Sequence, residues 1–322
     1  PSEARERSMQ QAERVSTSRL FTIASALPKR LFQGQRAGYL FLLPAALFLL
    51  ITVGYPLFDT VRMAFQEVTL GTLSRGERPF IGLANFENVL ADPAFPIALR
   101  NSLIFTIASV FFQFLIGLTL AIILNEAFPL RHVFRGLLLS GWRIPPIVSG
   151  TIFLWMFNYD FGFVNFFLQK IGIINEPVRW LLNPDYALAT VILTNIWLGI
   201  PFNVILLASG LTGLPEDIYE AATVDGANRW QKLRRLTLPL MKPTILATLM
   251  LGFIYTLRVF DVIWVMTGGG PVNATEVLPT LAYRESFNRF NFGEGAAISV
   301  IMLGILLIVA LFYVRTTSEE GM

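Results

Sequence analysis

The sequence predicts an all-α membrane protein of six transmembrane helices with both termini in the cytoplasm. Three observations predict it. Hydrophobic residues make up 54% of the 322 and charged residues only 15%, against roughly 45–50% and about 25% in ordinary soluble domains. Uncharged runs long enough to cross a bilayer, which takes about 20 apolar residues, occur at 37–58, 101–125, 186–215 and 295–314. Lys and Arg are unequally shared: with the N-terminus inside, the inner segments hold 16 and the outer segments 8, with Arg258 left inside a span. That asymmetry is the one that keeps loops in the cytoplasm.

The elements follow in order. Residues 1–36 form a basic cytoplasmic segment. Within it, "SRLFTIASALPKRLF" (18–32) places a short apolar run between basic residues. The run is only about ten residues long and is followed by a full span, so it reads as an interfacial amphipathic helix rather than a signal peptide; an unstructured tail fits equally. Residues 37–315 hold the six spans. Span 1 contains Pro44 and Pro56 and should kink. An outer loop at about 66–97 ends "FIGLANFENVLADPAF", with short helices expected. Span 2 is followed by an inner turn, "NEAFPLRHVFRG". Span 3, about 137–159, carries Arg143 and Pro145-Pro146, which should bend or break it. Span 4 ends near Pro215. Span 5, about 243–270, carries Arg258 and Asp261, and an outer segment from "TGGGP" to "FGEG" leads to span 6. Residues 316–322 are a cytoplasmic tail.

The densest charge lies between spans 4 and 5, in "LPEDIYEAATVDGANRWQKLRRLTLPLMKP" (214–243), where nine of thirty residues are charged. Pro215 suits a first helical position and Glu216 and Asp217 a first turn. Gly226 stands where a C-terminal cap is wanted. A second amphipathic helix then runs to Pro239. The reading is a helix–Gly–helix hairpin at about 215–238 with a small-residue face on which a partner backbone could lie; an interfacial loop with snorkelling basic residues would have the same composition.

The residues Glu220-Ala221-Ala222, three more, Gly226, nine more, then Leu236-Thr237-Leu238-Pro239 resemble the EAA signature of ABC importer permeases, with Leu for the family's Ile at 236. "MTGGGPVNATEVLPTLAY" (266–283), "FGEGAAISV" (292–300) and "IGLANFENVL" resemble the maltose-permease type of carbohydrate importer. The likeness covers about 37–315; the maltose protein's extra N-terminal spans and large outer domain have no counterpart here. It implies a type I ABC importer permease fold in a bacterial cytoplasmic (inner) membrane. It implies three kinds of partner: a second permease subunit in a heterodimer, two ATPase subunits, and an extracytoplasmic sugar-binding protein. Glu220, Ala221, Ala222, Gly226 and Pro239 would be the coupling contact with the ATPase. ATP and Mg²⁺ would bind that partner, leaving this chain without a cofactor and without catalysis of its own.

Two stripes at helical spacing are candidates for a substrate path: Asn195, Gly199 and Phe202 in span 4, and Gly252, Thr256 and Val259 with Tyr255 in span 5. Amides, hydroxyls and an aromatic face suit a sugar, and the resemblance places the path between these helices; plain helix packing explains the stripes about as well. Asn195 stands out because a lone amide in lipid needs a partner. Arg258 and Asp261, three apart, could pair on one helical face as a structural lock or meet a polar substrate.

Other classes are disfavoured. The chain has no Cys and a single His, His132, which removes thiol chemistry, disulfides and multi-His metal sites. "TGGGP" lacks the Gly-Lys-Ser/Thr of a phosphate loop. A membrane-embedded enzyme would call for clustered carboxylates or His, and a stand-alone secondary transporter for inverted repeats. The pI of 9.3 fits cytoplasmic-face anchoring on membrane lipid, not nucleic-acid binding. Within the importer class, the rival cargoes are glycerol-phosphate and acidic or sulfonated sugars.

Overall fold

The computed structural model describes residues 35–126 and 128–318. Among them there is no extended strand, only isolated bridges Gln66–Phe80 and Thr69–Asn291. The segment 18–32 lies outside the described residues, as do residues 319–322 of the tail.

The chain divides into two compact units after Asp59. The first holds α1 (Gln35–Leu49), a π-helical turn (Leu50–Gly54) and the start of α2 (Tyr55–Met63). Pro56 has no N–H to offer the Thr52 carbonyl. The backbone widens immediately before it, and the Tyr55 N–H bonds instead to the Leu50 carbonyl, five residues back. The irregularity expected of span 1 therefore falls at Leu50–Gly54, and Pro44 sits within α1. No side chain from Phe41 to Asp59 is buried.

The second unit is built on α4 (Ala94–Asn125), preceded by the short α3 (Ala84–Ala91). Its 32 residues rise 1.5 Å each, about 48 Å in all. α4 packs along α7 (Pro184–Thr212) through small residues. A Cβ on Gly117 would stand 2.6 Å from that of Asn203, and one on Gly199 would overlap the amide of Gln113. Lipid offers helices no hydrophobic reward for associating, so close backbone approach and buried polar contacts hold such pairs. Three apolar clusters mark successive levels of α4: Ala98 with Leu278, Ala297 and Ile298; Phe105 with Val191 and Val262; and Ala121 with Leu207 and Met241.

By length and hydropathy four helices can cross a membrane: Phe41–Met63, Ala94–Asn125, Pro184–Thr212 and Phe292–Thr316, the last within α13 (Phe292–Ser318). They coincide with the four uncharged runs. The two charge-bearing spans are broken. α5 (Arg131–Trp142) and α6 (Pro146–Met156) meet at 95° across Arg143–Pro145, because the residue before a proline is driven out of the helical region: Pro145, which precedes Pro146, has ψ 137°.

Span 5 departs from its expected form. The helix over Arg229–Leu240 turns by 69° into α10 (Lys242–Leu257), and α10 stops short of Arg258. A second short helix, α11, begins at Asp261 and ends at Met266. Arg258 and Asp261 thus flank a break, and the helical-face pair read from their spacing does not form. Arg258 has φ −95° and ψ 3°, off the helical path that i, i+3 pairing requires. Beyond α11, the segment Thr267–Asn291 carries α12 (Leu278–Tyr283) and a π turn, Arg284–Asn288.

Candidate functional site

The break in span 5 opens one wall of a cavity of about 540 Å³. All eight path candidates line it: Asn195, Gly199 and Phe202 from α7; Gly252, Tyr255 and Thr256 from α10; and Arg258 and Asp261 from the break. Helical spacing put Asn195, Gly199 and Phe202 on one face of α7 and Gly252 and Thr256, with Tyr255 beside them, on α10; Val259, the third residue of that stripe, falls in the break and lines the cavity as well, and the fold turns the two faces toward each other. Asn195 is 5% exposed, and its Nδ2 has no hydrogen-bond partner. A buried amide donor without a partner costs roughly 1–3 kcal/mol, a cost that a hydroxyl acceptor in the cavity would relieve. Arg258 and Asp261 are exposed toward the opening, and neither makes an ion pair among the described residues.

Two further lining residues escaped the sequence reading. Gln113 on α4 lies across Gly199 and donates from Nε2 to the Asn195 carbonyl at 2.8 Å. Trp142, the last residue of α5, sits 6.2 Å from Phe202, which meets Tyr255 edge-on at 5.6 Å. Gln113 was legible as an isolated polar residue in span 2. Trp142 was not, because only the 95° bend brings α5 to the cavity.

The charged stretch forms a hairpin of α8 (Glu216–Val224) and α9 (Arg229–Lys232), the latter continued by a π turn, Leu233–Thr237. Gly226 has φ +76°, with its N–H on the Thr223 carbonyl at 3.1 Å and the Ala227 N–H on the Ala222 carbonyl at 2.9 Å. That is a Schellman C-cap, whose left-handed residue is best a glycine. A Cβ there would meet nothing within 4 Å, so the requirement is backbone conformation alone. Asn228 and Gln231 form a reciprocal capping box at 2.9 and 2.8 Å, an N-x-x-Q signal present in the sequence and passed over. Tyr219 and Thr237 share a 2.8 Å hydroxyl bond that ties the two arms together. Of the five coupling candidates, Glu220, Ala221, Gly226 and Pro239 are exposed and Ala222 is half-buried. Glu220 also lines a cleft of about 1270 Å³ that runs between the hairpin and the ends of α4 and α7.

The segment after span 5 is more than a turn. Gly268 and Gly269 have φ +60° and +90°, and the Glu276 carboxylate occupies the space a side chain on Gly269 would need. Asn101 of α4 donates to the carbonyls of Asn273, Ala274 and Glu276 at 3.1–3.2 Å, and the Leu278 N–H donates to Ser102. Arg284 pairs with Glu276 at 2.8 Å, Arg289 with Glu285 at 3.1 Å and with Asp92 at 3.4 Å. Burial raises the carboxyls of Glu276 and Glu285 above their ordinary value, against the opposing pull of Arg284 and Arg289. From the sequence this stretch was only an outer segment leading to span 6; the long-range partners that hold it lie on α4, some 170 residues earlier.

The family described as "Binding-protein-dependent transport system inner membrane component" matches residues 113–319. The trehalose/maltose transport system permease protein MalF of Thermococcus litoralis is 35% identical over 285 residues, 88% of this chain and 94% of that one. The sulfoquinovosyl glycerol transport system permease protein SmoG of Agrobacterium fabrum is 34% identical over 276 residues, covering 86% of this chain and 88% of that one. A crystal structure of a bacterial ABC transporter involved in the import of the acidic polysaccharide alginate superposes with a TM-score of 0.77 at 25% identity, covering 94% of this chain and 99% of that one.

Proposed function

Because this chain belongs to the family of binding-protein-dependent transport system inner membrane components, we propose that it is the multi-pass permease subunit of an ATP-driven sugar importer. A second permease subunit completes the path, and two cytoplasmic ATPase subunits bind the ATP and Mg²⁺. The chain itself performs no catalysis. Both termini lie in the cytoplasm, which puts the α8–α9 hairpin on the ATPase side and the Thr267–Asn291 segment on the side of the binding protein.

The observation that carries the reading is the cavity. Two helical stripes and a broken span converge on one space that offers an unpartnered amide, a hydroxyl and edge-on aromatic rings. A sugar has hydroxyls for the first two and an apolar ring face for the third. The hairpin residues Glu220, Ala221, Ala222, Gly226 and Pro239 transmit closure of the ATPase pair. ATP binding shifts the permease between inward- and outward-open states, as any partner does that binds one state better.

The test is reconstitution in proteoliposomes with the cognate binding protein and ATPase. Sugar-dependent ATP hydrolysis and uptake are expected, with Asn195→Leu raising the sugar concentration needed. Uptake by a preparation lacking the ATPase would refute the reading. An acidic sugar is the second reading, favoured by the unpaired Arg258 guanidinium; Arg258→Gln would then cut uptake of a uronate-containing sugar while sparing a neutral one.

A further inference from the structure

Five aromatic rings run unbroken from the wall of the cavity into the segment beyond span 5. Phe260, in the break, lines the cavity. It stacks on Trp264 of α11 at 5.4 Å and lies 4.9 Å from Tyr283 at the end of α12; Trp264 and Tyr283 are themselves 4.6 Å apart. Phe287 follows at 5.0 Å from Tyr283, and Phe292 at 6.1 Å from Phe287. The row is most open at its fourth ring, Phe287, which is 56% exposed; Phe292 beyond it is half-buried.

We propose that this row is a carbohydrate-binding rail, on which the pyranose rings of an arriving oligosaccharide stack before entering the cavity; the proposal rests on the sugar-importer reading above. Three observations choose this occupant. The row ends on the cavity wall, so anything moving along it is delivered there. Its middle rings keep their polar edges free: neither the Trp264 indole N–H nor the Tyr283 hydroxyl has a hydrogen-bond partner among the described residues, whereas the indole of Trp180 donates to Asn165 at 2.8 Å. A sugar uses both parts of such a ring, its C–H face against the π face and its hydroxyls at the polar edge. Finally, the row lies beside charge. Tyr283 adjoins Arg284, Phe287 lies between Glu285 and Arg289 in the chain, and Arg258 and Asp261 stand at its foot. Acyl chains would have to desolvate those groups, while a hydrated sugar need not.

Binding is spread over several weak, equivalent faces. Together such contacts hold a chain, while each alone is weak enough to let it slide.

The experiment uses the complete transporter in proteoliposomes with its binding protein. The probes are trehalose, maltose and diacetylchitobiose, of which the one taken up by wild type is carried forward together with its longer oligomers. Phe287→Ala and Tyr283→Ala are expected to slow uptake at least threefold, more for the longer oligomer, with sugar-free ATPase activity and subunit composition unchanged. Phe287→Trp and Tyr283→Trp should restore it. Uptake by both alanine variants equal to wild type overturns the rail and leaves the importer reading intact. Loss of the second permease subunit from the purified variants also overturns it, since the row would then be a subunit contact. A wild-type transporter that takes up no sugar from any binding protein sinks the importer reading, and the rail with it.

Discussion

Gln113 reaches from α4 across Gly199 to bond the carbonyl of Asn195, 2.8 Å away on α7. The contact is possible only because residue 199 has no side chain: a Cβ there would overlap the Gln113 amide. Gly199→Ala should therefore lower the thermal midpoint of the detergent-solubilised complex, by an overpacking cost of about 1–3 kcal/mol. Adding Gln113→Ala to it should recover most of the loss. Strict additivity of the two substitutions would show that they do not share a site.

Gly226 is held left-handed with open space around it, so backbone conformation and docking can be separated. Gly226→Asn should behave like the parent, because Asn tolerates that conformation. Gly226→Val should destabilise the hairpin by about 1–2 kcal/mol and weaken ATPase co-purification. Glu220→Lys, on an exposed face, should leave the thermal midpoint unchanged and still abolish ATP-coupled uptake. Normal uptake by Glu220→Lys would rule out its coupling role.

Arg284 is the main counter-charge of a carboxylate whose side chain is 3% exposed. Arg284→Met leaves Glu276 buried and unpaired, a change that costs about 3–5 kcal/mol. The double variant Arg284→Met, Glu276→Gln should regain part of it. A scan of unfolding temperature across wild type and the two variants decides the point.

The same cluster sets a pH dependence. Burial holds the carboxyls of Glu276 and Glu285 above the ordinary value of 4.5; Arg284 and Arg289 oppose that shift, and Asp92 beside Glu276 and Glu294 beside Glu285 add to it. In the unfolded chain both titrate near the ordinary value. Between that pH and the raised folded values, the folded state keeps protons that the unfolded chain has released. The stability these two groups contribute is therefore fully present below about pH 4.5 and is lost as pH rises through the folded values. A double variant, Glu276→Gln with Glu285→Gln, should show a flatter decline of thermal midpoint over that window than wild type. An unchanged slope would remove these residues as its source.

Much of the molecule was legible because its signals are local. The four uncharged runs became the four membrane-length helices, since apolar length alone decides whether a helix suits lipid. Pro145-Pro146 marked the 95° bend, and Gly226 marked its cap, because each acts on its own backbone. Span 5 misled for a related reason. Apolar residues on both sides of Arg258 and Asp261 concealed that the helix stops at Leu257, and the spacing of the two charges suggested a pair that the break abolishes.

By itself the sequence determined the number of apolar segments, the two stripes of path candidates and the helix–Gly–helix hairpin, all properties of residues within a turn or two of each other. Only the tertiary structure decided that the stripes face one cavity, that Gln113 and Trp142 join them, and that Asn101 and Arg284 make a rigid cap of the segment after span 5. Those relations depend on contacts between residues up to some 170 positions apart. Periodicity fixes the face of a helix but not its neighbour, which is chosen by small residues such as Gly117 and Gly199 that let particular backbones approach, and by buried polar groups that each must find a partner.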